Sequence, residues 1–304
     1  MLFHREKIVD KLMDHFSRGI TSRTLETIGA EIETQFVGED GQAVMIETSQ
    51  NILRHLVNNG WNICGTRSGL ITLIADDHGN KVFQEFEMGR HHLEIATAVS
   101  TPPHVIDDAK QCLTQLYEAA SIFGAIPHKA AILPGNQDLI IEPDSQDTDW
   151  IDLDGREVLA PLARTSSVQF TVSVALDEVI LILNKLGERI NSFLSAFPQD
   201  VMWRQYIGNS HAKYLSDRYG GPLFFDSIND YCRLLARHDV IRGTKLVPYT
   251  EIESENITSF VRSIWWYFRL RRYENALCVE VRPIGRAADE QLEPQLEMVL
   301  SAFS

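Results

Sequence analysis

The chain has 304 residues, of which 44% are hydrophobic and 23% charged, and its 42 acidic against 28 basic side chains leave a net charge of −14. That length allows one large domain with a full core. The acidic balance argues against a binder of the nucleic-acid backbone, which needs clustered Lys and Arg, and no apolar run approaches the roughly 18 residues that cross a membrane.

The opening MLFHREKIVDKLMDHF places charges where a signal peptide needs an apolar core, so a cytoplasmic protein is expected. Cys64, Cys112, Cys232 and Cys278 are scattered without a CxxC pair, which suits reduced thiols better than a disulfide framework or a zinc site. Helical apolar spacing covers residues 5–16 and 48–59, the second closed by Gly60. GLITLIADDHGNKVFQEFEM then reads as a hairpin turning at Asp77 to Asn80, and HHLEIATAV as a third strand. Pro102 and Pro103 open a helix over about residues 104–123, which Gly124 stops. The stretch 134–161 is acidic and rich in turn formers, and reads as a solvated loop or as a lid over a site. After it come a strand in SSVQFTVSV, a long helix near residues 176–196, helices near 226–236 and 256–264, a strand pair in IWWYFRLRRYENALCVEVRP, and a closing helix at about 288–302. Adjacent hairpins with separate helices, not regular βαβ units, predict an α+β fold with a largely antiparallel sheet, in one domain spanning 1–304.

Within these strands the acids follow one rule. In GAEIETQF the two-residue period puts Ala30, Ile32 and Phe36 on one face and Glu31 and Glu33, about 7 Å apart, on the other. Glu85 and Glu87 share a face in VFQEFEM, Glu94 opposes Leu93 and Ile95, Gln169 opposes Val168 and Phe170, and Glu280 and Arg282 oppose Val279 and Val281. Each strand thus has an apolar face for helices to cover and a polar face with an acid or amide near its centre. A half-exposed sheet explains any one of them. Across five strands a Glu-rich face short of Lys asks for something positive, because like charges across strands are destabilising. Hard cations such as Mg²⁺ or Mn²⁺ take such oxygen ligands.

Other chemistries fit less well. GxxxxGK[ST], GxGxxG after a strand, and GxSxG are all missing. His91 and His92 are adjacent, so on a strand they face opposite ways and do not share a zinc ion. Carboxylates beside Cys278 would raise its pKa and make its thiolate scarce.

Four segments, in order, resemble a known family. GAEIET is similar to the GxExE opening of the glutamate–cysteine ligase and carboxylate–amine ligase family, and FEMGRHHLEIATAVSTPPHVIDDAKQCLTQLYEAASIFG to its next block. TSSVQFTVSV resembles the TxxVQVNxD strand of the plant-type branch, and SIWWYFRLRRYENALCVEVRP the WWDxRP and TLExR signature. The resemblance implies a glutamine-synthetase-like fold: a curved antiparallel sheet with helices on one face, forming a funnel whose acidic wall holds ATP through Mg²⁺ or Mn²⁺. It implies metal-binding roles for Glu31, Glu33, Glu87, Glu94, Gln169 and Glu280, and a phosphoryl-holding role for Arg282, which with Glu280 would be catalytic. Tyr267 stands in place of the Asp of WWDxRP and Leu270 in place of its Pro, and Phe170 to Val172 lack the plant-type Asn and Asp. These departures fall on the acceptor pocket.

The expected activity is ATP-dependent amide-bond formation through an acyl phosphate, on glutamate or another small amino acid, with a small-molecule amine as second substrate. Arg67 and Arg90 are candidates for the substrate carboxylate. Glu280→Gln is expected to abolish turnover while leaving the chain folded. The alternatives are a metal-dependent hydrolase using the same acids and a non-catalytic relative that binds a nucleotide or amino acid.

Overall fold

The structure, a computed structural model, describes residues 2–249 and 257–304, with the backbone alone for residues 2–5, 87 and 146. Its strands in chain order are β1 Ile28–Val37, β2 Asn62–Arg67, β3 Leu70–Ala75, β4 Lys81–Phe83, β5 His92–Ala96, β6 Ile126–His128, β7 Val168–Ser173, β8 Tyr219–Gly220, β9 Val240–Arg242, β10 Lys245–Val247, β11 Trp265–Trp266, β12 Phe268–Tyr273 and β13 Ala276–Val281. Nine of these form one sheet in the order β12-β13-β7-β1-β5-β4-β3-β2, with β6 paired to β1, and every pairing in it is antiparallel.

Register decides which side chains share a face. Glu31 pairs with Gln169 and Ala96, Glu33 with Glu94, Glu280 with Thr171, and Arg269 with Glu280. All of them therefore lie on one face. The opposite face carries Ile32, Leu93, Ile95, Val168, Phe170, Val172, Leu270, Val279 and Val281, all fully buried. The helices Ile46–Asn58 and Val105–Ile122 pack against this apolar side at β1, β3 and β5. The second helix buries Val105, Ile106, Ala109, Cys112, Leu113 and Leu116, an i, i+3, i+4, i+7 stripe. Its 18 residues match the span expected from the sequence to within a residue at each end. No helix among the described residues is long and apolar enough to cross a membrane.

Several expectations change. Strand β2 was not anticipated: its side chains are mostly exposed, so it has no apolar alternation. The turn joining it to β3 has positive φ at Ser68 and Gly69, the geometry of a tight hairpin. The return strand after Asn80 ends at Phe83, and Phe86–Met88 is a 3₁₀ turn, so Glu85 and Glu87 do not extend a strand. The helix expected over 176–196 is two, Val179–Glu188 and Ile190–Ser195, broken at Arg189 with φ −96 and ψ 7. The segment 134–161 is not simply a loop, because it contains the helices Ser145–Asp154 and Arg156–Leu159. Helices stand on the polar side too, where these two and Asp200–Asn209 contribute to a cavity wall.

Trp265 and Trp266 leave the main sheet and form β11, parallel to β8. The turn after β8 requires glycine: Gly221 has φ +70, and a Cβ there would sit 2.4 Å from Trp266 Cγ. Gly221→Ala is expected to cost about 2 kcal/mol or more, from the left-handed backbone and a displaced indole together. A thermal melt checks this, and an unchanged midpoint would rule out the close packing of Trp266.

Candidate active site

The polar face of the sheet opens on a cavity of about 710 Å³. Glu31, Glu33, Glu94, Gln169, Glu280 and Arg282 line it, as do Arg67, Glu85, Arg262, Arg269 and Arg271. Seven of the expected residues, Arg67 among them, thus come together. Arg90 does not join them: its guanidinium donates to the carbonyls of Val44 at 3.2 Å and Asp138 at 2.8 Å. That geometry makes Arg90 a tie between loops. Glu87 lies in the 3₁₀ turn, and its side chain is outside the described residues.

The acids divide into two electrostatic settings. Glu33 and Glu94 are direct cross-strand partners, with Glu31 on the same face two residues away. Burial, then the neighbouring charges of Glu31, Glu85 and Glu33, push the Glu94 carboxyl well above the usual range. Burial and Glu280 raise Glu31, and burial and Glu33 raise Glu85. Arg282 and its neighbours offset this only in part, and a divalent ion would relieve the remaining repulsion. Glu33 is positioned by the backbone N–H of Ser167, which donates to its Oε2 at 2.5 Å.

Glu280 differs. It is fully buried, its Oε2 accepts from Arg269 at 2.6 Å and lies 3.3 Å from Arg282, and its Oε1 accepts from Arg271 at 3.0 Å. Burial opposes its ionisation, but Arg269, Arg282 and Arg271 overcome that and bring its pKa down to about 2. Arg282 also donates to Gln169 Oε1 at 2.6 Å. Both Glu280 oxygens are occupied, so this carboxylate orders an arginine cluster. The expectation that Glu280→Gln leaves the fold untouched is therefore revised.

Glu31, Glu33, Glu94 and Glu85 suit a hard divalent cation in chemistry: all offer oxygen, and their charges repel one another. Among the described residues no three His, Cys, Asp or Glu side chains draw together tightly enough to hold an ion unaided. Magnesium usually takes one or two carboxylates and completes its shell from phosphates and water. His91 precedes strand β5, and its Nε2 lies 2.8 Å from Gln35 Oε1, while His92 Nε2 lies 3.7 Å from Glu33 Oε2. Burial, with His92 beside it, lowers His91 to about 3 and keeps it neutral. Burial also pushes the Cys278 thiol up to about 12.

The helix Ser145–Asp154 closes one side of the cavity through Asp147, Asp149 and Trp150. Arg67 holds its start, bonding both Asp144 oxygens at 2.7 Å and reaching Asp147 at 2.9 Å. At its end the buried Asp154 accepts from Tyr206 at 3.0 Å and Ser210 at 2.5 Å. Arg67→Met is expected to release the first anchor and accelerate proteolytic cleavage within 134–161 several-fold. An unchanged digestion rate would mean that Asp154 alone fixes the helix.

In sequence the chain matches no protein-family model and no curated protein. Its structure is similar to that of a bifunctional glutathione synthetase from Pasteurella multocida, with TM-score 0.54 and 12% identity over 98% of this chain and 41% of that one. It is also similar to glutamate–cysteine ligase from Francisella tularensis in complex with AMP, with TM-score 0.51 and 12% identity over 93% of this chain and 67% of that one. The chain shares the fold of these ligases. It spans about two fifths of the synthetase's length.

Sequence reasoning missed Glu85, Arg269 and Arg271 as wall residues. The signal was present for the arginines, since in FRLRRY both lie on the alternation that shares a face with Glu280 in the next strand. Glu85 was read on a polar strand face beside Glu87, but reaches the cavity from the connection after β4.

Proposed function

We propose that the chain is an ATP-dependent carboxylate–amine ligase, forming an amide from a small amino acid such as glutamate, with Mg²⁺ or Mn²⁺ as cofactor. One observation carries this reading: a single cavity of about 710 Å³ sets the clustered carboxylates Glu31, Glu33 and Glu94 beside the arginines Arg269, Arg271 and Arg282. A metal–polyphosphate is attracted to both, and a shared fold with two amide-forming ligases supports it. A bound divalent ion would supply the charge neutralisation that lets a carboxylate approach a triphosphate.

This chain's own residues would do the rest. One or two of Glu31, Glu33 and Glu94 would hold the ion together with phosphate oxygens and water, and Gln169 fixes Arg282. Arg282, partly exposed at the cavity wall, is the cation available to the phosphoryl oxygens as charge moves to the leaving group. Glu280 acts through the arginines it orders. A substrate carboxylate oxygen bonds to the γ-phosphorus as ADP leaves; the amine nitrogen then bonds to the acyl carbon as phosphate leaves.

The test is release of ADP and phosphate from Mg·ATP, with glutamate and other small carboxylates each offered alone and with a panel of amines. ADP formation that needs both partners is expected. Turnover of a substrate without ATP would assign a hydrolase, and an absence of nucleotide binding would overturn the ligase.

A further inference from the structure

A second, smaller cavity of about 40 Å³ adjoins the first, sharing Glu33, Arg282, Trp203 and Trp265 with it. The rest of its wall includes Tyr219, Tyr267 and Gln199. Trp203 stacks on Tyr219 at 5.6 Å and 9°, and Tyr267 meets Tyr219 edge-on at 5.3 Å. The hydroxyls of Tyr219 and Tyr267 both bond Asp200, so both are already engaged.

Gln199 is fully buried, and its Nε2 donates to Ser166 O at 2.8 Å, which fixes the amide. Its Oε1 has no hydrogen-bond partner. An aromatic wall, the Glu33 carboxylate and a buried acceptor without a donor together describe a seat for a cation that carries N–H groups.

Resting on the ligase reading above, we propose that this pocket receives the amine nucleophile, and that the amine is ammonium or a small primary alkylammonium ion. Size argues for this. A water needs about 10–15 Å³ of such space, so the pocket takes only two or three small groups. Charge argues for it too. Arg282 is the one basic residue of the described wall, and the ligase reading assigns it to the phosphoryl oxygens, which leaves no separate cation in this pocket for the carboxylate of an amino acid. On reaction the ion gives up two protons, one to solvent before its nitrogen lone pair forms the bond to the acyl carbon and one that leaves with the phosphate as hydrogenphosphate.

The experiment titrates the intrinsic tryptophan fluorescence of the metal-free chain with methylammonium chloride, with tetramethylammonium chloride and with cysteine at constant ionic strength, and repeats it on Gln199→Leu and Trp203→Leu. Circular dichroism verifies that each variant is folded. A saturable response to methylammonium, weak or missing for the other two, is expected. In Gln199→Leu the apparent Kd should rise about tenfold, the effect of one hydrogen bond, and Trp203→Leu, which widens the pocket, should admit cysteine. A response to methylammonium without ADP formation in the turnover assay would keep the pocket and remove the ligase. No response to methylammonium, an equal response to all three, or turnover with a lower KM for cysteine than for methylammonium would overturn the proposal, the last while leaving the ligase standing.

Discussion

Glu280→Gln will lower the folding stability of the chain by about 3–5 kcal/mol, the usual effect of removing one partner from a buried ion cluster. Glu280 is fully buried and contacts Arg269, Arg271 and Arg282, so the amide leaves two deeply buried guanidinium groups without the carboxylate they bond. Urea denaturation reads the loss directly. The double variant Glu280→Gln with Arg271→Met removes one of the orphaned charges and should recover part of it. A single variant as stable as the parent would refute the anchoring role. Acid should act in the same direction. The folded pKa of about 2 lies below the unfolded value of about 4.3, so the stability contributed by Glu280 is present above that unfolded value and is lost as pH falls through about 2.

Glu94→Gln should do the reverse to stability while removing activity. Glu94 faces Glu33 directly across the strands, and relief of such like-charge pairing is worth about 1 kcal/mol. In the metal-free protein the variant should therefore melt higher than the parent at pH 8, while ADP release falls at least about 10²-fold, as on loss of a group that stabilises transition-state charge. The pH dependence follows from the raised carboxyls of Glu31, Glu85 and Glu94. Each has a folded pKa above its unfolded one, so its stabilising effect is complete below the unfolded value and is lost as pH rises through the folded value. With Glu280 acting in the opposite sense, the metal-free parent should be most stable in mild acid, and Mg²⁺ should reduce the decline towards pH 8. A Glu94→Gln protein that melts lower than the parent in EDTA at pH 8 would refute the repulsion within the cluster.

Much of this was legible in the sequence because strand alternation has period two, and one buried face fixes the phase. Ile32, Phe170 and Val279 are fully buried on one side, and that alone assigns Glu31, Gln169 and Glu280 to the other. The counter-charge was hidden in pairing. Arg269 stands opposite Glu280 only because the hairpin turns at Glu274, with φ 52, and Asn275, a register that no single strand reveals. Helix Asp200–Asn209 was missed because it presents a mixed surface, burying Tyr206 and Ile207 while lending Trp203 to two cavities. Nothing in the local pattern marked Gln199, whose burial depends on Ser166 reaching it from a distant part of the chain.

The strand order also bears on how the chain folds. Strand β1 sits at the middle of the sheet yet meets β7, where Glu33 and Gln169 are 136 residues apart in sequence, and β7 in turn meets β13, whose neighbour Arg282 is 113 residues beyond Gln169. Such non-local pairings carry a large loop-closure cost before any contact repays it, which slows folding and lengthens the exposure of unpaired edges. During synthesis the N-terminal half can build β1 to β6 while β1 still lacks its β7 neighbour. The acidic strands therefore emerge first and the arginines of β12 last. A ribosome-stalled chain ending before β12 would have Glu31, Glu33 and Glu94 in place with none of Arg269, Arg271 or Arg282 yet made.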